Sequence, residues 1–420
     1  MISLTQLTNR LSRASDMVSP ELNGHQQQVA YISWHIGKEI GLSPEKMNEL
    51  YAASVLHDIG GLSMKERLNL LSFELINPHL HGEIGWLMLK DYPEFMKEAK
   101  IIRHHHVPWD YGRGKNSWGE EVPIESHIIH LADRITTSSM LDATALNQSK
   151  PIMNKMKSLK GSKFHPELVD VLEQLADKEY FWLDLHSVLK EKNCYCPPKP
   201  EDIKVEEGRL LPISKLFARV IDFRSRFTAV HSEGVSSVAT TIASCLKLSE
   251  NDCAEIEIAG YLHDIGKLTV PSEILDKPGD LTAEEYNVMK GHTYYGYILL
   301  KDLEGMERIK DYVSFHHEKM NGTGYPFKLT GEELPVGSRI MAVADILTAL
   351  TENRPYRKGM TKDKALLILG RMAKEKELDP EVVQLAQDYY SEIRESRIKG
   401  QEEARSRYDN FASKIGEKVG

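Results

Sequence analysis

The chain repeats itself, and the repeat constrains the fold more than any other feature. VLHDIGGL at 55–62 returns as YLHDIGKL at 261–268, and the segments leading into them, LSPEKMNELYAAS and LSENDCAEIEIAG, have equal length. Further matches follow in the same order: His25 with His231, His81-xxx-Gly85 with His292-xxx-Gly296, His104-His105 with His316-His317, and HLADRIT, holding Asp133, with AVADILT, holding Asp345. The interval from His25 to His57 equals that from His231 to His263, and the interval from His104 to Asp133 equals that from His316 to Asp345. FHPELVDVL, starting at 164, extends the match to LDPEVVQLA, starting at 378. Chance does not preserve such intervals, so two similar bodies are expected. They should be a first domain over 1–192, a Pro-rich linker over 193–206 around NCYCPPKPED, and a second domain over 207–420. A length of 420 residues suits two cores better than one.

Apolar residues recur with helical period in both copies, as Val29, Ile32, Ile36 and Ile40 and as Val235, Val238, Ile242 and Leu246. Ser43-Pro44 and the capping box Thr282-Ala-Glu-Glu285 mark helix starts. Period-two alternation is scarce, so both domains are predicted to be all-α, and the stripes are predicted to be core. No apolar run is long enough to span a membrane. The start, MISLTQLTNRLSRASDMVS, lacks an apolar run after a basic region, so the cytoplasm is the expected compartment. Four cysteines, two of them in Cys194-Tyr-Cys196, give neither a disulfide framework nor a zinc-spaced pair. A net charge of −9 argues against a nucleic-acid polymer as partner, so any anionic substrate must meet positive charge locally.

A lone His-Asp pair arises by chance in roughly one of every two or three chains of this length. The full set carries the weight. From residue 207 onward the chain has five histidines, His231, His263, His292, His316 and His317, and every one belongs to the repeated pattern. Imidazole and carboxylate together suit iron, manganese or zinc. With Asp264 and Asp345 the set overfills one coordination sphere, and it can serve two divalent ions if Asp264 bridges them. Two such ions activate water and stabilise the attacking and leaving oxygens of a phosphoester displacement.

YLHDIGKL, GHTYYG, HHEKMNGTGYP and AVADILTAL with ENRPYRKG closely resemble the HD-GYP subfamily of HD-domain phosphohydrolases, over about 220–390. The resemblance implies tandem helical HD-type domains. It also implies hydrolysis of cyclic di-GMP or cyclic GMP-AMP to linear dinucleotides by a metal-activated hydroxide, with two ions, iron first and manganese or zinc as alternatives. It places the metal ligands on the seven residues above, with Asp264 and Lys267 as catalytic groups. Lys267, Tyr325, Arg354 and Arg357 become the substrate contacts, and Gly322 and Gly324 let backbone approach the ligand. Two positions depart from the pattern. Phe227 stands where some members carry a third-metal Glu, so two ions are expected, and Thr348 replaces a common Asp.

The N-terminal copy keeps a counterpart of every ligand, in His25, His57, Asp58, His81, His104, His105 and Asp133. It lacks the phosphate set: Gly61 stands at the Lys position, VPWDYGRG replaces the GYP string, and Asp142 and Ala145 stand at the Arg positions. It is expected to bind metal without cyclic-dinucleotide hydrolysis and to brace or regulate the catalytic half, or a second subunit in a homodimer. Glu21, four residues before His25, is read as a solvated carboxylate. His35, His79, His106, His127, His130, His165 and His186 have no repeat partner and are read as surface or core residues. The competing readings are an HD phosphohydrolase acting on other nucleotides or phosphoesters, and a non-catalytic cyclic-dinucleotide sensor.

Overall fold

A computed structural model of the chain describes residues 1–17, 24–61, 79–111, 114–115, 119–138, 145–187, 198–224, 230–277, 279–353 and 358–419. Glu21, Asp142, Phe227, Arg354, Arg357, the Cys194–Cys196 pair and the start of the expected linker lie outside the described residues. The described chain is helical, with one two-stranded antiparallel ribbon in which β1, Ile2–Ser3, pairs with β2, Lys204–Val205. The chain divides into two compact units. One is Thr8–Ile203, and the other is Lys204–Lys418 together with Met1–Leu7. Met1–Leu7 thus belong with the C-terminal unit rather than with the 1–192 domain expected from sequence, because the ribbon ties them to Lys204–Val205.

The N-terminal unit contains α1 Leu4–Asp16 (from Thr8 onward), α2 His25–Glu39, α3 Pro44–Leu56, α4 Leu80–Leu89, α5 Met96–His104, α6 Ile124–Thr136, α7 Ala145–Ser158, α8 Pro166–Ala176 and α9 Glu179–Ser187. The C-terminal unit contains α10 Glu207–Arg224, α11 His231–Cys245, α12 Glu250–Leu262, α13 Ser272–Leu275, α14 Ala283–Leu300, α15 Glu307–Ser314, α16 Val336–Thr351, α17 Lys362–Lys374, α18 Pro380–Asp388 and α19 Tyr390–Val419.

The two units share one packing plan. In the first, α2 packs on α3 and α6, and α4 on α5; in the second, α11 packs on α12 and α16, and α14 on α15. The apolar stripes lie in the cores as the period requires. Val29, Ile32, Ile36, Val235, Val238 and Ile242 are fully buried, while Ile40 and Leu246 cap their helices half-buried. Truncating one such aliphatic side chain to Ala costs about 2–5 kcal/mol. Helix starts follow local chemistry: Ser43 and Thr282 accept from Lys46 N and Glu285 N, and Ser249 and Thr282 each close a capping box.

The glycine of the HDIG segment has a packing role in both units. A Cβ on Gly266 would lie 1.9 Å from the His292 carbonyl oxygen, and one on Gly60 2.0 Å from that of His81. Only glycine lets the turn after the His-Asp pair press against the helix carrying the next histidine. Packing at this point therefore sets the distance between the two halves of the ligand cluster.

Candidate metal centre

Four ligands sit at helix ends and two within helices, with Asp264 in the turn after His263. His231 opens α11, His263 follows α12, His292 projects from α14, His316 and His317 follow α15, and Asp345 lies on α16. Their ligating atoms gather into two groups, His231–His263–Asp264 and His292–His316–His317. Asp264 spans the groups: its Oδ2 lies 3.2 Å from His263 Nε2 and its Oδ1 3.7 Å from His292 Nε2. Asp345 Oδ1 closes on His231 Nε2 at 3.1 Å.

The backbone fixes which ring nitrogen is free. The Nδ1–H groups of His263, His292 and His316 donate to the carbonyls of Gly260, Met289 and Val313 at 2.8, 2.6 and 2.6 Å. Each Nε2 is then a lone pair aimed inward. His292 Nε2 and His316 Nε2 face one another at 3.4 Å with neither carrying a proton, and the buried His263 Nε2 has no hydrogen-bond partner. Converging lone pairs and an orphaned buried nitrogen call for a cation, so the residues fit a metal pair. Burial pushes His292 down to about 3 and His316 well below the usual imidazole range, keeping both in the neutral form a metal requires. Burial also opposes charge on His231, but Glu352 and Asp345 outweigh it and raise the ring to about 10. Glu352 Oε2 holds His231 Nδ1 at 3.1 Å, a supporting contact on the far side of the ring.

Lys267 lies on the short turn after the His-Asp pair, with Nζ 2.6 Å from Asp264 Oδ2 and its side chain 19% exposed. It therefore reaches both the cluster and solvent. The Tyr325 ring tilts over His317 at 5.0 Å, and burial raises its hydroxyl above the ordinary tyrosine value. The loop carrying Tyr325 hangs on Glu318, whose buried carboxylate accepts from the backbone of Phe327, Lys328 and Leu329 at 2.6, 3.0 and 3.1 Å. Sequence reasoning gave Glu318 no role, although its place beside the His pair was a usable signal. Gly322 and Gly324 also shape their own loop. Gly322 turns at φ 75°, and a Cβ on Gly324 would lie 2.4 Å from Glu318 Cα.

The N-terminal unit builds the same cradle with one correction. The groups are His25–His57–Asp58 and His81–His105–His106. His106, read from sequence as unpartnered, joins the cluster, and His104 does not. Three facts fix the shift. His105, like His316, donates Nδ1–H to the carbonyl three residues earlier, here Ile102 O at 2.6 Å. The interval from His81 to His105 equals that from His292 to His316. Trp109 N bonds Lys163 O just as Met320 N bonds Glu377 O. The triplet His104-His105-His106 allowed two registers, and the equal interval to the later Asp favoured the wrong one. His104 takes the place of Phe315 and is buried on its helix.

Asp58 spans its groups as Asp264 does, with Oδ2 3.3 Å from His57 Nε2 and Oδ1 3.5 Å from His81 Nε2. Asp133 lies 3.4 Å from His25 Nε2, but its other oxygen meets Arg134 Nη2 at 2.5 Å. That guanidinium is 1% exposed and stands where the other unit has Ile346. Among the described residues no lysine faces this cluster at the position of Lys267, which is Gly61.

Comparison with known proteins agrees with this geometry. HD domain family models match residues 23–138 and 207–382. The 3'3'-cGAMP-specific phosphodiesterase 1 of Vibrio cholerae is 30% identical over 408 residues, covering 93% of each chain. The cyclic di-GMP phosphodiesterase response regulator RpfG of Xanthomonas campestris is 42% identical over 168 residues, 40% of this chain and 44% of that one. The crystal structure of the cyclic GMP-AMP specific phosphodiesterase V-cGAP3 of V. cholerae superposes with a TM-score of 0.62 at 25% identity, covering 93% of this chain and 98% of that one. The chain belongs to the HD-domain phosphohydrolases, in their HD-GYP subfamily, with a second HD domain in tandem. No helix among the described residues is long and apolar enough to cross a membrane.

Proposed function

We propose that the chain is a metal-dependent phosphodiesterase that opens cyclic dinucleotides to linear ones, with the C-terminal centre as its active site. The observation that carries this reading is Asp264, whose two oxygens face two histidine groups while Lys267 stands beside it. His231, His263, Asp264, His292, His316, His317 and Asp345 would hold two divalent ions, with iron first and manganese or zinc as alternatives. When bound, the ions supply the Lewis acidity that ionises a water and offsets phosphate charge.

The chain's own residues do the rest. Backbone carbonyls lock His263, His292 and His316 in their Nδ1–H form with Nε2 ready for an ion, whereas His231, held by Glu352 and Asp345, gives up a proton to one. The Lys267 ammonium, partly exposed beside Asp264, is placed to meet a non-bridging phosphate oxygen as its charge grows. Tyr325 walls the site beside His317 and shields the reacting phosphate from solvent. Arg354 and Arg357 supply further phosphate contacts. The relative and the solved structure that match nearly the whole chain are both named for cyclic GMP-AMP, whereas RpfG matches the smaller part, so cyclic GMP-AMP is the favoured substrate and cyclic di-GMP the second. The N-terminal HD domain binds metal without hydrolysing these substrates. Homodimer formation and a cytoplasmic address complete the reading, and sedimentation and cell fractionation check them.

Chromatography of products from cyclic GMP-AMP, cyclic di-GMP and a simple phosphomonoester, with elemental analysis of the same protein, tests the proposal. Linear dinucleotide from one of the first two is expected. Turnover of the monoester alone would replace this reading with a general phosphohydrolase.

A further inference from the structure

A cavity of about 680 Å³ lies in the C-terminal unit between the end of α16, the start of α17 and the first half of α19. Glu352, Tyr390, Arg397 and Gln401 are its buried residues, and Lys362, Arg394 and Arg405 are exposed on its rim. It sits behind the metal centre, for the His231 ring separates the two. His231 Nε2 faces Asp345 at 3.1 Å, and Nδ1 faces Glu352, a cavity residue, at 3.1 Å.

The lining is unbalanced in charge. Among the described lining residues, Lys362, Arg394, Arg397 and Arg405 meet two carboxylates, Glu352, already engaged with His231, and the exposed Glu402. Arg397 is 7% exposed and donates to Gln401 Oε1 at 2.5 Å, yet it forms no ion pair with a described residue, nor do Arg394 and Arg405. Glu352, which lies beyond Gln401 and is shared with His231, offsets the buried Arg397 charge only in part, and a bound anion removes more of the cost of burial. The start of α17 adds to the field: Thr361, also in the lining, makes no side-chain cap to the first turn of this 13-residue helix. Met360, Ile398 and Tyr390 give the cavity an apolar wall, and its volume is that of a small-molecule site.

A continuous path runs from this cavity to the ligand set. Arg397 bonds Gln401, Gln401 Nε2 lies 3.4 Å from Glu352 Oε2, and Glu352 holds His231. We propose that the cavity is a second ligand site, for a phosphate-bearing small molecule of nucleotide size, and that its occupant acts on the metal centre through Gln401, Glu352 and His231. The coupling rests on the function proposed above; the binding does not.

The test titrates pyrophosphate and GMP calorimetrically into the full chain after chelation, so that the metal centre takes no phosphate. Wild type is compared with Arg394→Gln/Arg405→Gln, whose side chains are exposed, with unchanged circular dichroism as the check on folding. The double variant should bind both probes at least about tenfold more weakly. Equal affinities, or no binding to the wild type, overturn the site, and pyrophosphate binding without GMP binding overturns its nucleotide assignment. In metal-loaded protein, saturating GMP should change the hydrolysis rate of the wild type and leave that of the double variant unmoved. A rate change that survives in the variant places GMP at the metal centre and overturns the coupling. A raised KM for the cyclic dinucleotide with unaltered pyrophosphate affinity makes the cavity part of the substrate cleft and overturns it as a separate site. Absent hydrolysis would end the coupling and the function proposed above together, and would leave the binding result standing.

Discussion

The two units carry one cradle and two different surroundings. In both, an Asp faces two histidine groups, and a glycine behind it lets the turn press on the next helix. Around the C-terminal cradle stand Lys267, a Tyr325 loop hung on Glu318, and the ion pair Arg339–Asp379 at 2.8 Å. Around the N-terminal one the residues matching that pair are His127 and His165, packed on Trp109 with ring centroids at 5.4 and 4.1 Å, and Arg134 occupies an oxygen of Asp133. The ligand cradle is therefore a property of helix packing, which a repeat preserves. The surroundings are made of single side chains and loops, and these can change one at a time.

The sharpest way to break this division is to remove each cradle in turn. His263→Ala/Asp264→Ala should abolish cyclic-dinucleotide hydrolysis to background, while His57→Ala/Asp58→Ala retains it in folded protein that still carries C-terminal metal. Loss of turnover in the second variant under those conditions would make the N-terminal cradle part of catalysis. A smaller effect separates cradle from clamp. Lys267→Ala should keep both ions by elemental analysis and lose about a hundredfold in kcat, because its charge is needed most where phosphate charge grows. Unchanged kcat would remove Lys267 from the mechanism.

Much of this was legible in the sequence because ligand sets are discrete and ordered. Polar residues at preserved intervals are not ordinary core, and the structure gathers six of the C-terminal seven into two groups with Asp345 against His231. The N-terminal set was misread by one position because His104-His105-His106 offers two pairs, and one-dimensional spacing cannot say which pair follows the last turn of α5. Glu318 was overlooked because a buried carboxylate that organises a loop looks, in sequence, like a surface acid. Arg134, Glu98 and the Arg397 cavity were invisible for the same reason: burial of a charge is a tertiary fact. The helical stripes and caps, being local, were readable directly.

Arg134 gives the third prediction, of moderate size. The guanidinium competes with any ion for Asp133, so replacing it by the residue of the other unit should release that oxygen. In a chain already carrying His263→Ala/Asp264→Ala, Arg134→Ile should raise the affinity of the remaining cradle for Mn²⁺ about tenfold, measured by competition with a chelating dye. An unchanged affinity would mean that Asp133 is not a ligand there and that the likeness of the two cradles stops at the histidines.

The smallest expected effect concerns stability and turns on Glu98. In the register fixed by His105 and His316, Glu98 stands where the C-terminal unit buries Ile309. Only 7% exposed, it is pushed up by burial to about 7. A carboxyl whose folded value exceeds its unfolded one binds more protons folded than unfolded, so its contribution to stability falls as pH rises from about 4.5 to about 7. His127 has the opposite sign: burial pushes it down to about 4, so its contribution rises with pH from about 4 to about 6.5. In the wild type the Glu98 slope opposes the rise contributed by His127 and by the other buried imidazoles of this unit, His81, His104 and His130. Glu98→Gln removes one of them. At pH 8 the variant should gain about 1–3 kcal/mol in the N-terminal unit, read as slower hydrogen exchange of the α5 amides, and at pH 5 it should gain far less. Its stability should then climb more steeply with pH than that of the wild type, and Glu98→Ile should gain at least as much as Gln at pH 8 by restoring the apolar packing of Ile309. An equal gain at pH 5 and pH 8 would mean that Glu98 is not held protonated by burial, and that this helix differs from its counterpart in packing rather than in charge.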